Sequence, residues 1–291
     1  MTIIMFSNAN NSKIEVRQLE YADCPAVVEV YRHEQGWYNT LTGCRDMFSR
    51  GQRCGLYQTI ALRNGIVLGI AEWLLDRDER GTYLYLTELQ VKSDSQQQGI
   101  GRTLVANGAG FARTYAASRL LTIPETETGS QHFYAKCGFI SEDAICALTI
   151  PSTTNARLSR TYIQVDSVPL TVLERPFLFG AAQWSPRHEY HVYNDKPFLT
   201  DPYERIAFRA ENGDTIQFRY KRDYGIALGW CAMPSADCIS DTLALANTLG
   251  VQSVDFKFYQ QYTPLFATFG TVEQSAMTMS CDVRSENTLP S

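Results

Sequence analysis

Apolar and polar residues alternate near the start of the chain, and this alternation predicts a strand over residues 13–21. A helix is predicted over residues 25–33, with Asp23 as its N-cap and proline in its first turn. Residues 35–52 are aromatic and polar, which predicts a second helix and a loop. Residues 1–12 have no long periodic pattern, so we expect a flexible leader there.

Three β-rich runs follow and predict an antiparallel meander. They cover residues 56–62, 66–75 and 83–91, and Asn64-Gly65 between the first two is typical of a hairpin turn. The pattern then changes to a helix at 102–117, a strand at 119–123, a short helix at 131–136 and a strand at 139–150. Gly138 is suited to end the short helix, because glycine adopts the left-handed conformation easily.

The second half of the chain repeats this order of elements after a linker at residues 151–155. Its predicted strands cover 205–210, 215–221, 224–233, 251–259 and 276–283, and its predicted helices cover 237–249 and 264–268. Residues 133–139 and 265–271 also align. We therefore expect a tandem repeat, with domains at 13–150 and 156–285.

Composition disfavours a disordered chain, a nucleic-acid binder and a membrane-spanning protein. The 291 residues are 44% apolar and 20% charged, as in ordinary globular chains, and the formal charge of -5 leaves no basic excess for nucleic acid. No apolar run of about 18 residues indicates a membrane span. The eight cysteines lack any Cys-x-x-Cys pair, which favours reduced thiols in the cytoplasm over disulfides or a metal site.

The segment Gln96-x-x-Gly99-x-Gly101 lies between a predicted strand and a predicted helix. Glycines let the backbone approach a pyrophosphate closely, and the first amides of a helix attract anions. The segment is neither a Walker loop nor a dinucleotide fingerprint, because no Gly-Lys-Ser/Thr follows and a meander precedes it. The alternative reading is a tight turn between strand and helix with no ligand.

Three motifs together carry a family resemblance: Leu89-Gln90-Val91, Gln96-x-x-Gly99-x-Gly101 and Phe133-Tyr134-x-Lys136-x-Gly138-Phe139. Their order and separation resemble the GNAT N-acetyltransferase superfamily. The resemblance implies an α+β fold, a mixed and mostly antiparallel sheet flanked by helices. It also implies acetyl-CoA as cosubstrate and no metal. The residues expected to bind acetyl-CoA are Leu89, Val91, Gln96, Gln98, Gly99, Ile100, Gly101, Arg102, Thr103 and Lys136.

Some positions depart from the family pattern. Ser93 stands where many members have proline, and Gln96 and Gln97 stand where many have Arg-Gly. Phosphate binding would then depend on backbone amides and Arg102. Glu127 stands six residues before Phe133, where many members have an asparagine that contacts the pantetheine arm or a catalytic water.

The resemblance also implies catalytic roles. Tyr134 matches the general acid that protonates the departing thiolate, and Glu88 matches one of two strand acids, with Thr87 in place of the other. A β-bulge is expected there, and Glu88 is the candidate general base. Glu72 on the neighbouring strand is a second candidate. The alternative for Glu88 is a solvated or salt-bridged acid on a strand. The alternative for Tyr134 is an aromatic residue of the core.

The amine acceptor is expected near residues 35–53, where Trp37 and Tyr38 could hold a cationic or apolar amine beside Glu72. The acceptor itself, a small molecule or a peptide, is not identified by the sequence. A packed helix pair is the alternative for this segment.

The second half lacks the chemistry of the first. Pro234-Ser235-Ala236-Asp237 stands where the glycines should be, and Phe266 stands where Tyr134 has its hydroxyl. We therefore expect a degenerate lobe. His188 and His191 are spaced unsuitably for a helical metal site.

Three functions remain open at this stage. The first is direct acetyl transfer to a primary amine by a cytoplasmic monomer or homodimer that binds neither nucleic acid nor membranes. The second is a non-catalytic acyl-CoA sensor or protein-interaction module. The third is an enzyme whose acceptor residues come from the aromatic segment 184–193 of the second lobe.

Overall fold

The computed structural model describes residues 4–6, 13–32, 37–78, 80–124, 129–152, 156–174, 177–179, 187, 190–191, 194, 204–221 and 224–283. The contacts divide the chain into two compact units. Unit 1 comprises Met1–Thr122, Gly129–Ile140 and Met279–Ser291, and unit 2 comprises Ile123–Thr128 and Ser141–Thr278. Each unit is built around its own apolar core.

Unit 1 is a mixed sheet. Its strands are β1 (Ile4–Phe6), β2 (Ile14–Gln18), β3 (Tyr57–Arg63), β4 (Ile66–Asp78), β5 (Gly81–Val91) and β6 (Arg119–Thr122). They lie side by side in this order, antiparallel except for the parallel pair β5 and β6. The end of the last strand of the chain, β14 (Glu273–Asp282), pairs antiparallel with β6 through Met279–Asp282.

Four α-helices belong to unit 1 within the described residues: α1 (Cys24–Val30), α2 (Leu41–Cys54), α3 (Ile100–Thr114) and α4 (Ser130–Lys136). Thr40 caps α2 by accepting from the Gly43 amide at 3.1 Å. Helix α3 lies close against the sheet, since a Cβ at Gly108 would overlap the indole of Trp73 on β4. This contact holds the second half of α3 against β4.

Unit 2 has the same kind of layering. Its strands are β7 (Ile140–Pro151), β8 (Tyr162–Val165), β9 (Phe177–Phe179), β10 (Glu204–Ala210), β11 (Thr215–Tyr220), β12 (Gly225–Cys231), β13 (Ser253–Tyr259) and the first part of β14, and its helices are α5 (Ala236–Thr248) and α6 (Thr263–Phe266). The sheet runs β7-β13-β12-β11-β10-β8, with β12 and β13 parallel and β9 on β12. Phe218, Phe256 and Phe266 are buried at its centre.

The order of elements agrees with the sequence prediction, but two details differ. Ile4–Phe6 pairs with β2, although an irregular leader was predicted there. Asp23 stands at the start of α1 without capping it. Its carboxylate instead accepts from both terminal nitrogens of Arg17, at 2.6 and 2.7 Å, because the two side chains meet as an ion pair.

The domain division also differs from the predicted ranges 13–150 and 156–285. Strand β7 belongs to unit 2 from Ser141 onward, because it pairs with β13 from Ile145 to Pro151. The end of β14 belongs to unit 1, because it pairs with β6. Among the helices of the described residues, none is long and apolar enough to cross a membrane.

Candidate functional site

The glycine segment forms a turn that leads from β5 into α3. Gln97 and Gly99 both adopt positive φ, 61° and 84°. Gly99 is the N-cap of α3, and no side chain caps the helix there. The amides of Ile100, Gly101 and Arg102 therefore lie in a first turn where no intrahelical acceptor exists. Such a turn is suited to bind an anion.

The polar side chains of the turn hold its own backbone. Gln96 donates to the Val91 carbonyl at 3.2 Å, and Gln98 donates to the Asp94 carbonyl at 3.3 Å. Arg63 on β3 donates to Gln98 at 2.6 Å. Gln96 and Gln98, predicted as ligand contacts, are thus engaged in building the loop.

Residues of the first turn of α3 differ in their surroundings. Ile100 is buried in the core, whereas the Thr103 hydroxyl donates to the Gly99 carbonyl at 3.0 Å. A Cβ at Gly101 would lie 3.1 Å from the ring of Phe133 and 3.6 Å from Val91, so glycine permits this close packing. Arg102 is exposed and bears the positive charge of the turn.

The Phe-Tyr motif lies beside this turn on α4. Tyr134 is only 8% exposed and contacts Phe133 and Phe139 edge-on, with ring centres 5.1 and 5.4 Å away. Leu89 and Val91 are half-buried against the same core. Lys136 is exposed in the last turn of α4. Burial raises the pKa of the neighbouring Cys137 thiol to about 11, although the charge of Arg102 acts in the opposite direction.

A β-bulge separates Thr87 from Glu88, as the resemblance implies. Glu88 pairs with Glu72 across β4 and β5, but the next pair is Leu86 with Trp73, so Thr87 is the extra residue. The Thr87 hydroxyl donates to the Glu72 carbonyl at 3.2 Å. The bulge therefore places Glu72 and Glu88 directly opposite one another on one face of the sheet.

The two carboxylates differ in exposure. Glu72 is 1% exposed and accepts a hydrogen bond from the buried amide of Gln58. Burial raises the pKa of Glu72, against the opposing effects of Tyr38, Gln58 and the charge of Arg50. Glu88 is half-buried. Only Glu88 therefore combines a carboxylate with access from solvent.

Two tyrosines cover these carboxylates. Tyr31 and Tyr38 stack with ring centres 4.8 Å apart. Both hydroxyl oxygens are buried and interact with the acid pair, that of Tyr31 with Glu88 and that of Tyr38 with Glu72. Burial and the nearby charges of Glu72 and Glu88 raise the pKa of both phenols.

Sequence reasoning found Tyr38 and Glu72 but missed Tyr31 and Gln58, because neither stands in a motif. Trp37 begins a 3-10 turn over Trp37–Asn39, and its side chain lies outside the described residues. Glu127, His188 and most of the aromatic segment 184–193 also lie outside them.

Unit 2 closes the corresponding helix end with its own side chains. Ser235 caps α5 by accepting from the Cys238 amide at 3.4 Å, and Asp237 adds a negative charge in the first turn. Phe266 is fully buried and stacks on Phe258 with ring centres 3.7 Å apart. Neither an open helix end nor a tyrosine hydroxyl occurs at these positions.

Sequence reasoning predicted no metal site and also missed a cluster in unit 2. Asp214, Cys231 and Cys238 place their ligand-type atoms within 4.8 Å of one another, and all three are buried. The residues are far apart in sequence, so their spacing carries no motif.

Comparison with known family models gives a match over most of unit 1. The model of the acetyltransferase (GNAT) family matches residues 14–139. Residues 14–139 therefore carry a GNAT acetyltransferase domain, which covers less than half of the 291 residues. No curated protein matches the chain.

Solved structures extend the GNAT likeness to the fold of the whole chain. A GCN5-related N-acetyltransferase from Anabaena variabilis superposes with a TM-score of 0.65 at 12% identity, over 93% of this chain and 73% of that one. A possible acetyltransferase from Pyrococcus horikoshii reaches 0.59 at 14% identity, over 95% and 92%. A tandem GNAT protein from the clavulanic acid biosynthesis pathway reaches 0.57 at 12% identity, over 94% and 100%. The chain therefore has a GNAT fold in tandem.

Proposed function

We propose that the protein is an N-acetyltransferase that transfers acetyl directly from acetyl-CoA to a primary amine of a small molecule or peptide. The observation that carries this proposal is the open N-terminus of α3 within a GNAT-family unit that also retains Tyr134 and the bulge at Glu88. Unit 2 supports the fold and does not carry the reaction, since Ser235 and Asp237 close its corresponding helix end.

The residues of unit 1 fit acetyl-CoA. The amides of Ile100, Gly101 and Arg102 and the exposed Arg102 side chain would hold the pyrophosphate. Leu89 and Val91 lie on β5, which leads into this turn, and would border the pantetheine arm. Lys136 adds a positive charge on α4. When bound, acetyl-CoA supplies an acetyl group activated as a thioester.

Proton transfer is assigned to two side chains. The Glu88 carboxylate accepts a proton from the ammonium group of the acceptor, directly or through water, because it is the accessible member of the acid pair. The neutral amine formed in this way attacks the thioester carbonyl, and the C–S bond to CoA breaks. The Tyr134 hydroxyl donates a proton to the departing thiolate. Its burial against Phe133 and Phe139 fixes the direction of the ring.

The acceptor would lie beside the acid pair. Tyr38, Glu72 and Trp37 are the residues proposed for it, and the negative charge of the pair favours a cationic amine. The eight free thiols support a reducing compartment, and we propose the cytoplasm. No metal is required for this chemistry. A monomer or homodimer is proposed, with neither nucleic acid nor membrane as a partner.

The test is release of free CoA thiol from acetyl-CoA in the presence of a panel of primary amines, with mass spectrometry of each product. Tyr134→Phe should lower kcat by about 10²-fold and leave acetyl-CoA affinity unchanged. Tyr115→Phe is the matched control, because Tyr115 is exposed at the end of α3. Equal activity of the Tyr134→Phe variant and the wild type would remove the assigned role.

A non-catalytic acyl-CoA sensor is the second candidate. The loss of both cradle and hydroxyl in unit 2 favours it, because such loss is compatible with a protein that has kept its fold for binding alone. Tight acetyl-CoA binding without product from any amine would favour the sensor over the enzyme.

A further inference from the structure

Unit 2 holds a buried pair of thiols at the helix end that corresponds to the glycine turn of unit 1. Cys231 is the last residue of β12, and Cys238 lies in the first turn of α5. Both residues are fully buried, and both thiols are free. Their sulfur atoms lie within 4.8 Å of one another and of the Asp214 carboxylate.

A fixed cation and a helix end surround Cys238. The guanidinium of Arg160 lies 3.8 Å from the Cys238 sulfur, and it is held by Asp214 at 2.5 Å and by Asp241 at 3.1 Å. The Ser235 hydroxyl donates to the same sulfur at 3.4 Å. The N-terminus of α5 adds a partial positive charge. Arg160 and Ser235 favour a thiolate at Cys238, whereas the negative charge of Asp214 opposes it.

The two thiols therefore differ in acidity. The hydrogen bond from Cys231, with help from Ser235 and Arg160, lowers the pKa of Cys238 to about 7 against the effect of burial. The same bond and burial raise the pKa of Cys231. The other titratable neighbours are Asp214, Asp241 and Tyr162, whose hydroxyl donates to Asp241 at 3.0 Å.

The neighbourhood opposes a metal ion. Arg160 places a positive charge against the cluster. The Asp214 oxygens already accept from the Ala232 amide and the Asn212 side chain, each at 2.9 Å, as well as from Arg160. A divalent cation would have to displace these partners.

The loop between β12 and α5 borders the pair. The Cys238 thiol lies 3.8 Å from the carbonyl of Met233, whose residue is 74% exposed.

We propose that Cys238 and Cys231 form a hydroperoxide-reactive dithiol, in which Cys238 is oxidised first and Cys231 resolves the product. The Cys238 thiolate attacks a peroxide oxygen, the O–O bond breaks, and hydroxide leaves with Cys238 as a sulfenic acid. The Cys231 sulfur then attacks Cys238 and releases the sulfenic oxygen as water. One hydroperoxide is reduced, two thiols are oxidised to a disulfide, and the thiol protons end in water or the corresponding alcohol.

The chain offers a matched control pair. Cys24 and Cys44 in unit 1 are both fully buried and interact with one another, but burial raises the pKa of each. Cys24 and Cys44 are therefore as buried as Cys231 and Cys238, but neither thiol has a lowered pKa. They should therefore remain reduced at a dose of peroxide that oxidises Cys238.

The experiment treats the full chain with graded hydrogen peroxide, denatures it, labels the remaining thiols and locates the labels by mass spectrometry. Cys231 and Cys238 should lose labelling together through a disulfide, at least about tenfold faster than Cys24 and Cys44. Cys231→Ser should instead give a Cys238 sulfenic acid trapped by dimedone, and Cys238→Ser should leave Cys231 reduced. Cys231→Ala gives the same readout if the serine variant fails to fold.

Two results would overturn the proposal. The first is oxidation of Cys238 no faster than that of Cys24 and Cys44. The second is Co²⁺ bound with sulfur-to-cobalt absorption that needs Cys231, Cys238 and Asp214, since that result would make the cluster a metal site. Neither readout depends on acetyl transfer.

Discussion

Glu72 and Glu88 are direct cross-strand partners, but the protein surrounds them differently. Glu72 is enclosed by Gln58 and Tyr38, and burial raises its pKa. Glu88 is half-buried at the bulge. A proton acceptor must reach its substrate, whereas a buried acid can shape the site without contact. Glu88 is therefore the proposed proton acceptor, and Glu72 is the proposed buried acid that shapes the site.

Replacement of Glu88 tests the proton acceptor. Glu88→Gln should lower kcat/KM by about 10²–10⁴-fold, because the amide cannot accept the ammonium proton. The loss should shrink as pH rises, since more of the amine is then neutral without a base. Rates of acetyl transfer across pH measure this, with Glu142→Gln on β7 as the control. A pH-independent loss would contradict the role.

Replacement of Glu72 tests the effect of its burial on stability. Because the folded-state pKa of Glu72 is raised, its favourable contribution is present at low pH and is lost as pH rises through that value. Glu72→Gln removes this dependence. The Tm of the variant relative to wild type should therefore increase from acid to neutral pH, measured by thermal unfolding. A difference in Tm between variant and wild type that does not change with pH would contradict a raised pKa of Glu72.

The family motifs predicted Tyr134 and Glu88 as site residues, and the neighbouring strand and the aromatic segment added Glu72 and Tyr38, but no pattern pointed to the residues that contact them. Tyr31 and Gln58 reach the acid pair from α1's end and from β3, far from any motif. Their roles depend on tertiary contacts that no local pattern encodes. Asp23 likewise fits an N-cap by sequence, yet its carboxylate binds Arg17 instead.

At the scale of elements, the docking of α3 on β4 sets the position of the proposed cradle. Gly108 allows the helix to approach the indole of Trp73, and Gly69 on β4 allows Ile100 and Leu104 to approach the strand. The predicted hairpin at Asn64-Gly65 is confirmed, with φ of 53° and 78°. The turn could be predicted because two adjacent residues determine it. The contact between α3 and β4 could not, because it joins residues far apart in the sequence.

Gly108→Ala tests this docking. The new methyl group would overlap Trp73, and we expect a loss of about 1–3 kcal/mol in the free energy of unfolding, together with weaker acetyl-CoA binding. Denaturant unfolding and calorimetry measure the two effects. Trp73→Phe in the same chain should restore part of both losses, because it removes the overlapping ring. An unchanged free energy of unfolding for Gly108→Ala would contradict the close contact.

At the scale of the whole molecule, the chain returns at its end to complete unit 1. Met279, Cys281 and Val283 are buried in the core of unit 1, and Met279–Asp282 pairs with β6. The repeat predicted from sequence is confirmed by the fold. The exchange of the last strand was not predicted, because a strand pattern does not specify its pairing partner.

Truncation tests this return of the chain. A fragment of residues 1–140 should be less stable than the same fragment joined by a Gly/Ser linker to residues 278–283, by roughly 3–6 kcal/mol. The reason is that the strand restores three buried side chains and covers the edge of β6. Denaturant unfolding of the two fragments measures the difference. Equal stabilities would show that unit 1 is complete without the strand.

The central claim is that one helix end, in unit 1, binds acetyl-CoA. Calorimetric titration of the full chain with acetyl-CoA tests it most directly, beside a Gly99→Asp/Gly101→Asp variant. Ser235→Asp is the matched control. It also introduces an aspartate at a helix N-terminus, but at the end in unit 2 that Ser235 already caps, and aspartate is itself a good N-cap residue. We expect one site per chain, lost in the glycine variant and retained in the Ser235→Asp control. Two sites, or binding that survives in the glycine variant, would contradict it.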